Sequence, residues 1–473
     1  MQIIDRIYID GAFVTPHGEE YFELFNPASE AVIGRVRLAD EADANAAIAA
    51  AKRAFPAFSR TTKQERIDML MRLHEAVAAS EDALFEAIVE EYGAPVSRGR
   101  WMAKHAASVL GDAAKVLDGY AFTRRAGTAE VTMQPLGVAG LITPWNSDAG
   151  FICGKLAAAL AAGCTAVIKP SELSAMQTRI VTEALHSAGL PPGVFNIVTG
   201  RGDTVGARIA AHPDVAKLSF TGSTAVGKTI LRTAAETLKR VTLELGGKSP
   251  VIVLDDANFD EAAALALQAG FMNSGQACIA GTRILVPQSR LAAFEASVVA
   301  AIADIRAGDP RDARTSIGPM VSQKQWERVQ RYIRIGTDEG ARLIAGGAGR
   351  PEGVDSGWFV RPTVFSGVTN DMTIAREEIF GPVLSIIAYR DTEHAIEIAN
   401  DTNYGLQAYV LSRDLGRARR VAAQIEAGRV LVNTLAHEPA APFGGFKQSG
   451  IGREYGVYGL EAFLEPKSTL GVL

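Results

Sequence analysis

Two side chains in the segment from Glu244 to Ala280 could together form and hydrolyse a thioester. Glu244 ends an apolar, strand-like run, and Cys278 follows 34 residues later in a Gly-Gln-Ala-Cys-Ile-Ala turn. A thiolate can attack an electrophilic carbon, and a carboxylate can take a proton from the water that releases the acyl group. Because an isolated cysteine is usually a small buried residue and an isolated glutamate a solvated one, the pair needs support from the rest of the chain.

The composition is that of an average globular protein. At 473 residues the chain is expected to hold two or three domains, with 48% apolar and 21% charged residues. A net charge of −5 provides no basic surface for a phosphate backbone, which argues against nucleic-acid binding. Three cysteines without a CxxC pair argue against a disulfide framework or a metal site and favour a cytoplasmic location.

No targeting or membrane-spanning segment is predicted. The first residues, MQIIDRIYIDGAF, lack a basic region followed by an apolar core, so no signal peptide is expected. The most apolar stretch, residues 151–168, is interrupted by Lys155 and Gly163. It predicts a buried helix followed by a strand, and no membrane partner.

The order of the patterns predicts an α/β fold. From Pro135 onward, apolar strand-like runs alternate with helical periodicity, as expected for a parallel sheet covered by helices. A second pattern of this kind begins after Ser249, beyond the flexible pair Gly246-Gly247. In such sheets ligands bind beyond the carboxyl ends of the strands, where the unusual polar residues of the first pattern all fall.

Two of these strand ends could bind a dinucleotide. The run from Gly222 to Gly227 opens a helix after a strand, so its amides and the helix dipole could hold a pyrophosphate. An ordinary Ser223 helix cap explains it equally well. Lys169-Pro-Ser-Glu172 could hold an adenosine ribose, and its acid would repel a 2′-phosphate, although a Ser-Glu capping arrangement is the alternative.

Asn146 in Thr143-Pro-Trp-Asn could donate a hydrogen bond to an oxygen that becomes negative when a carbonyl is attacked. A donor of this kind lowers a barrier by roughly 3–4 kcal/mol. The alternative is that Asn146 is simply a turn residue.

Taken together, the motifs resemble those of the NAD(P)-dependent aldehyde dehydrogenase superfamily. The similarity covers nearly the whole chain, in order, and rests on PWN, VIKPSE, FTGST, LELGGKSP, GQACIAG, EEIFGPV and PFGGFKQSGIGREYG. It implies that Cys278 is the nucleophile, Glu244 the general base, and Asn146, with the Cys278 amide, the oxyanion donor. Lys155 matches a lysine often placed near the base and the nucleophile.

The resemblance also implies a nicotinamide cofactor. Lys169 and Glu172 match the residues that hold the adenosine ribose, Ser223 matches the pyrophosphate contact, and Glu378 and Phe380 match the pair that positions the nicotinamide ribose and ring. NAD is expected, with NADP possible. The full set of expected cofactor-binding residues is Thr143, Pro144, Trp145, Lys169, Ser171, Glu172, Gly202, Phe220, Gly222, Ser223, Leu245, Glu378 and Phe380.

The family's fold implies three parts. We expect an NAD-binding Rossmann-like domain over residues 1–118 and 136–246, and a catalytic α/β domain over 247–455. Residues 121–135 and the C-terminal FLEPKSTLGVL are extended in character, and we expect the segments 119–135 and 456–473 to join into a small β arm that pairs with another subunit. A homodimer or homotetramer is therefore expected.

The helix after Asn146 suggests a wide substrate tunnel. Gly150 and Gly154 stand where other members often place aromatic rings, so a medium or bulky aldehyde, aromatic or branched, is expected instead of acetaldehyde. The alternative is that these glycines serve helix packing alone. The expected pocket residues are Ser147, Gly150, Phe151, Gly154, Ala277, Ile279, His437 and Phe443.

The expected reaction is the oxidation of an aldehyde to a carboxylic acid through a cysteine thiohemiacetal and a thioester. One rival function is a CoA-acylating semialdehyde dehydrogenase, against which Glu244 argues because transfer to a thiol needs no water-activating base. A second is a non-catalytic binding or structural protein, against which the joint presence of Cys278, Glu244 and Asn146 argues.

Overall fold

The computed structural model describes residues 2–471. Its strands are β1 (Gln2–Ile4), β2 (Ile7–Ile9), β3 (Ala12–Val14), β4 (Tyr21–Phe25), β5 (Val32–Arg37), β6 (Thr123–Ala126), β7 (Ala129–Pro135), β8 (Val138–Ile142), β9 (Thr165–Lys169), β10 (Phe195–Ile197), β11 (Val215–Thr221), β12 (Arg240–Glu244), β13 (Pro250–Val253), β14 (Arg283–Pro287), β15 (Arg342–Ala345), β16 (Thr363–Ser366), β17 (Val383–Tyr389), β18 (Gln407–Leu411), β19 (Arg429–Val432), β20 (Gly450–Ile451) and β21 (Leu464–Leu470).

Helices alternate with most of these strands. They are α1 (Glu41–Phe58), α2 (Lys63–Ala78), α3 (Glu81–Ala87), α4 (Val96–Asp118), α5 (Asp148–Ala162), α6 (Ala175–Ser187), α7 (Ala207–Ala211), α8 (Thr224–Ala235), α9 (Phe259–Phe271), α10 (Leu291–Ile302), α11 (Gln323–Asp338), α12 (Thr373–Arg376), α13 (Thr392–Asn400), α14 (Leu415–Ala422) and α15 (Gly456–Glu461). The predicted α/β fold class is confirmed.

The larger sheet brings the predicted site residues to one edge. Its strand order is β20-β12-β11-β8-β9-β10-β2-β3, and β8 to β12 run parallel. The register places Thr221 opposite Glu244 and Ile142 opposite Lys169. Because parallel strands share the direction of their carboxyl ends, the segments that follow these residues lie side by side.

A second sheet, of seven strands in the order β15-β16-β17-β14-β13-β18-β19, carries the remaining part of the site. Its central strands are parallel and fully buried, as the apolar runs PVIV and VLSIIAY require. The nucleophile turn lies between α9 and β14 of this sheet. One short strand, β20, leaves the 247–455 segment and pairs with β12 of the first sheet, so the chain crosses back beside Glu244.

The two polar segments form one small sheet. β21 pairs with β7 along its whole length, from Leu464 opposite Pro135 to Leu470 opposite Ala129, and β6 completes the sheet. The predicted joining is therefore confirmed for residues 123–135 and 464–470, whereas residues 456–461 of the predicted arm form helix α15 instead. Residues 472 and 473 of the predicted arm, like Met1 at the other end of the chain, lie outside the described residues.

The helical stretch predicted after Asp40 forms α1 to α4. Helix α1 packs on one face of the first sheet, and α2 and α4 pack against α5 on the other face. Helix α1 begins at a capping box in which Asp40 accepts from the Asp43 amide and Asp43 accepts from the Asp40 amide. Helix α4 packs its buried alanines and leucines against α5, so that α4 becomes a wall of the region beyond Asn146.

Candidate active site

A deep cleft separates the carboxyl edge of the first sheet from the nucleophile turn of the second. It encloses about 1530 Å³, including its open mouth. The predicted site residues that line it are Pro144, Trp145, Asn146, Phe151, Gly222, Ser223, Glu244, Leu245, Cys278, Glu378 and Phe380. The sheet topology thus brings together side chains that are more than 230 residues apart in the sequence.

Cys278 is presented by an irregular turn after α9. Asn273 and Ser274 have φ of +55° and +58°, a region that non-glycine residues rarely adopt. Gly275 must be glycine, because its φ is +73° and an added Cβ would lie 2.2 Å from the carbonyl carbon of Gly381. The Asn273 side chain holds the turn by donating from Nδ2 to the Asn146 carbonyl oxygen at 2.9 Å.

The Asn146 side chain is buried beside this turn. Its Nδ2 donates one hydrogen bond to the Gln276 carbonyl oxygen at 3.0 Å, which fixes the amide plane. The second Nδ2 hydrogen remains available to an oxygen bound near Cys278. An oxyanion donor needs a side-chain amide that is held in one orientation with one hydrogen free. A residue that only formed a turn would not need its side chain to be fixed in this way.

We expect Asn146→Ala to lower kcat by about 10²–10³-fold, because it removes one preorganised donor to the developing oxyanion. Steady-state oxidation of an aldehyde by the variant measures this. Asn403→Ala, at an exposed position, is the matched control. A loss of less than about threefold in Asn146→Ala would contradict the assigned role.

Glu244 is a buried carboxyl without a hydrogen-bond partner. Its side chain is 2% exposed, and neither oxygen has a partner among residues 2–471. Burial raises its pKa well above the ordinary value, the Glu454 charge raises it further, and Lys155 and Arg453 oppose this. Gly444, with φ of +151°, leaves room for the Glu244 carboxyl, because an added Cβ at position 444 would lie 2.6 Å from Glu244 Oε1. A buried carboxyl with raised pKa suits a general base.

Lys155 does not contact Glu244 directly but forms a buried ion pair with Glu454. Its Nζ also donates to Ser219 Oγ at 2.9 Å, and Ser219 Oγ donates to Glu454 Oε1 at 3.2 Å. The sequence analysis missed Glu454, which lies 299 residues from Lys155. Glu454 lies in the GREYG segment of the motif PFGGFKQSGIGREYG, so this motif could have identified it as a candidate site residue.

The environment of Cys278 disfavours its thiolate form. Burial raises its pKa to about 12, and the nearby carboxyls of Glu378 and Glu244 contribute, while the backbone amides of Cys278 and Ile279 lower it. Burial thus lowers the fraction of the reactive thiolate at a given pH.

We predict that alkylation of Cys278 by iodoacetamide accelerates with pH. Between about pH 7 and pH 10 the rate constant should rise roughly tenfold per unit, because the thiolate fraction does so well below the pKa. Mass spectrometry of the Cys278 peptide measures the rate, and Cys278→Ala gives the background from buried Cys153 and Cys164. A plateau below about pH 9 would disagree with the raised pKa.

The opposite wall of the cleft carries Glu378 and Phe380. Glu378 Oε1 accepts from the Gly247 amide at 3.0 Å, and burial raises the Glu378 pKa. Phe380 has φ of +62° and meets Trp145 edge to face at 5.4 Å. A strained backbone at a ligand-facing aromatic is typical of a functional turn.

Helix α11 supplies cleft residues that the sequence analysis missed. Gln325 Nε2 donates to the Phe380 carbonyl oxygen at 2.7 Å, and Arg328 Nε donates to that of Ile379 at 3.2 Å. These bonds hold the strained turn from outside. Lys324 and Arg331 also line the cleft. The only sign of these residues in the sequence was that they lie on the polar face of an amphipathic helix.

Of the other predicted cofactor residues, Ser223 lines the cleft, and Thr143, Lys169, Ser171, Glu172, Gly202 and Phe220 lie outside its lining. Lys169 and Glu172 form an ion pair at 3.2 Å, and Arg201 approaches the second Glu172 oxygen at 3.7 Å. Ser171 and Ser223 cap the helical turns that follow them, as the alternative interpretations expected. Thr143 donates to buried Asp148, Phe220 lies in the core beneath Gly222, and Gly202 begins an exposed turn.

The predicted pocket glycines differ from each other. An added Cβ on Gly150 would lie 3.3 Å from the His105 ring, so an α4 side chain fills most of that space. At Gly154 the nearest neighbour is Val109 at 3.9 Å, and a second pocket, open to solvent, lies beside it. Phe151 lines both cavities and separates them. Gly150 thus has less free space than Gly154, although both glycines line the second pocket.

The remaining pocket residues surround the nucleophile turn and its mouth. Ala277 and Ile279 flank Cys278, and the Ile279 carbonyl oxygen accepts from the Tyr409 hydroxyl at 3.0 Å. Ser147 precedes α5. His437 is exposed on the loop after β19, and Phe443 packs against Tyr455 at 5.8 Å.

Comparison with known proteins identifies the family. The model of the aldehyde dehydrogenase family matches residues 13–469. The chain belongs to this family of oxidoreductases, as the motifs predicted.

Particular relatives are similar over their full length. The 3-succinoylsemialdehyde-pyridine dehydrogenase of a Pseudomonas species is 48% identical, over 98% of each chain. An aldehyde dehydrogenase C variant from Pseudomonas syringae, with one cysteine replaced by alanine and crystallised with NAD+ and octanal, is 45% identical, with a TM-score of 0.98 over 99% of this chain and 97% of that one. The NAD+ complex of a Mycobacterium tuberculosis aldehyde dehydrogenase is 40% identical, with a TM-score of 0.96 over 99% and 98%.

Two searches of the described residues found no further feature. None of the helices between residues 2 and 471 is long and apolar enough to cross a membrane. Within the same range, no group of three or more His, Cys, Asp or Glu side chains is arranged to hold a metal ion.

Proposed function

We propose that this protein oxidises an aldehyde to the carboxylic acid with NAD+, through a thioester on Cys278. The observation that carries the proposal is the convergence of Cys278, Asn146 and an unpartnered Glu244 on one cleft. A carboxyl that is buried without a partner is costly, and a site for a reacting water explains its retention.

The cleft fits a nicotinamide dinucleotide. The α8 N-terminus at Ser223 offers free amides for a pyrophosphate, and the buried Thr221 hydroxyl has no partner within residues 2–471. Glu378 and the strained Phe380 turn stand opposite, where a ribose and a nicotinamide ring would be held. When bound, NAD+ supplies the acceptor for the hydride that leaves the substrate carbon.

In the first half-reaction Cys278 reacts as the thiolate after its proton has passed to solvent. The sulfur attacks the aldehyde carbon, and Asn146 Nδ2 and the Cys278 amide stabilise the oxyanion of the thiohemiacetal. Loss of hydride from that carbon re-forms the C=O bond and leaves a thioester. Glu244 stays clear of this step, because no hydrogen bond ties it to the nucleophile turn.

In the second half-reaction Glu244 takes a proton from water, and the hydroxide attacks the acyl carbon. The thiolate leaves and the carboxylic acid is released. The Lys155–Glu454 pair sets the field around Glu244, since Glu454 raises its pKa and Lys155 lowers it. We propose that this balance keeps Glu244 basic enough to activate water.

The proposed substrate is a medium or bulky aldehyde, aromatic or branched. The open space beside Gly154 supports a wide tunnel, and the His105 ring at Gly150 limits its width nearer to Asn146. The similar proteins act on, or were crystallised with, aldehydes larger than acetaldehyde, as their names state.

We propose NAD in preference to NADP. Glu172, held by Lys169 and Arg201, places a carboxylate where a ribose hydroxyl would be bound and a 2′-phosphate repelled.

The three-part division of the chain, the homodimer or homotetramer formed through the β arm, and a cytoplasmic location also remain proposals. The exposed edge strand β6 supports pairing with a second subunit.

A panel of aldehydes tested with NAD+ and with NADP+ examines the proposal. We expect NADH formation, a carboxylic acid product, and a higher kcat/KM for benzaldehyde-type or long-chain aldehydes than for acetaldehyde. Addition of CoA should leave the product unchanged. An acyl-CoA product would contradict hydrolysis by Glu244-activated water, and a preference for acetaldehyde would contradict the wide tunnel.

A further inference from the structure

Arg429 is a half-buried guanidinium without a carboxylate partner. It opens β19, and within residues 2–471 no carboxylate oxygen lies within 4.0 Å of it. Burial lowers its pKa, while nearby ionisable groups, Cys278 among them, raise it. A partly buried cation close to the nucleophile turn would be stabilised by a bound anion.

The guanidinium is held in one orientation. Its Nε donates to Gln407 Oε1 at 2.7 Å, and its Nη1 donates to His437 Nδ1 at 3.3 Å. Phe443 lies beside it, with the ring centre 5.1 Å from Cζ. Among the described residues no hydrogen bond uses Nη2, so a fork of donors remains free on this side.

A short hydrogen-bonded path places Arg429 beside the nucleophile turn. Gln407 Nε2 donates to the Tyr409 hydroxyl, and that hydroxyl donates to the Ile279 carbonyl oxygen at 3.0 Å. Ile279 follows Cys278 directly. Arg429 is thus separated from the reacting thiol by two side chains and one residue of backbone.

The surroundings offer no substitute anion on the same face. His437 and His105 meet edge to face at 5.9 Å, and burial together with neighbouring positive charge lowers the pKa of both, that of His105 to about 4. The two acids that influence His437 are themselves engaged, because Asp112 pairs with Lys115 at 3.0 Å and Glu438 accepts from the Ala440 amide at 3.0 Å.

We propose that Arg429 binds a carboxylate at the far end of the substrate, so that the preferred aldehydes are oxo acids. This inference rests on the proposed aldehyde oxidation and specifies its substrate class. The planar fork of an arginine matches both oxygens of a carboxylate. The alternative is that Arg429 only supports the loop that carries His437 and, through Gln407, the nucleophile turn.

A matched pair of aldehydes separates these roles. 6-Oxohexanoate and 6-methylheptanal share a chain length and a forked end, but only the first carries charge. The quantity measured is the ratio of their kcat/KM values. If Arg429 has only a supporting role, replacing it should change both kcat/KM values together and leave their ratio constant. If Arg429 binds the substrate carboxylate, replacing it should change the ratio.

We expect Arg429→Gln to lower the ratio by about tenfold or more, mainly through KM of the oxo acid, because a charge-assisted hydrogen bond is lost. Arg429→Lys should keep the ratio within roughly fivefold of the wild type, since the positive charge remains. Arg419→Gln, at an exposed position on α14, is the control and should keep the wild-type ratio. A ratio that is the same in wild type and Arg429→Gln would overturn the proposal.

Binding of unreactive alcohols tests the recognition of the substrate carboxylate by Arg429 separately from the proposed oxidation. The alcohols 6-hydroxyhexanoate and 6-methylheptan-1-ol should both slow iodoacetamide labelling of Cys278, the first more strongly in the wild type but not in Arg429→Gln. If 6-hydroxyhexanoate protected Cys278 equally well in the wild type and in Arg429→Gln, the carboxylate site would be overturned even if aldehydes are oxidised. Absence of NADH with both aldehydes, together with selective protection, would instead refute the oxidation and retain the site.

Discussion

Replacement of Cys278 by alanine is expected to lower kcat by about 10⁴-fold or more, because no covalent adduct can form without the sulfur. The side chain is partly exposed and its turn is held by backbone and Asn273 contacts, so the fold should be retained. Initial rates of NADH formation at saturating aldehyde measure the loss. Circular dichroism and thermal unfolding verify that the variant is folded.

Cys164→Ala is the matched control for this loss. Cys164 is buried and its Sγ donates to the Phe463 carbonyl oxygen at 3.4 Å, away from the cleft. The change should lower stability slightly while kcat stays within about threefold of the wild type. If Cys278→Ala kept a substantial rate, or if Cys164→Ala lost activity equally, the nucleophile would have been assigned to the wrong residue.

Replacement of Glu244 by glutamine is expected to stop turnover after the first half-reaction. The thioester should form, because attack by Cys278 and loss of hydride do not use Glu244, but water is no longer activated. Rapid mixing should show a burst of about one NADH per active site, followed by a steady rate roughly 10²–10⁴-fold below that of the wild type.

Glu236→Gln, at an exposed position after α8, is the control and should show wild-type turnover. Two outcomes of the Glu244→Gln experiment would contradict the account. A normal steady-state rate would show that Glu244 is not the base, and absence of the burst would show that it acts before the thioester is formed.

Local motifs were sufficient to predict the centre of the site. The alternating α/β pattern predicted that the strand ends carrying Asn146 and Glu244 would meet, and the resemblance to the family implied that Cys278 would join them; all three line one cleft. The pairing of β21 with β7 was also predictable, because both segments are extended, polar and amphipathic in the same way.

Contacts between distant segments could not be predicted from local patterns. Glu454 pairs with Lys155 only because β20 returns the chain to β12 and brings the following loop behind Glu244. Nothing in the sequence around His105 indicated that its ring would occupy the space beside Gly150. The free guanidinium of Arg429 likewise depends on which acids the fold places elsewhere.

The most direct test of the central claim is mass spectrometry of the Cys278 peptide. Glu244→Gln is mixed with NAD+ and an aldehyde, and the reaction is quenched in acid before digestion. We predict that the Cys278 peptide gains the mass of the acyl group, at a stoichiometry that approaches one, and that hydroxylamine removes it. An unmodified Cys278 peptide alongside a full equivalent of NADH would contradict the account.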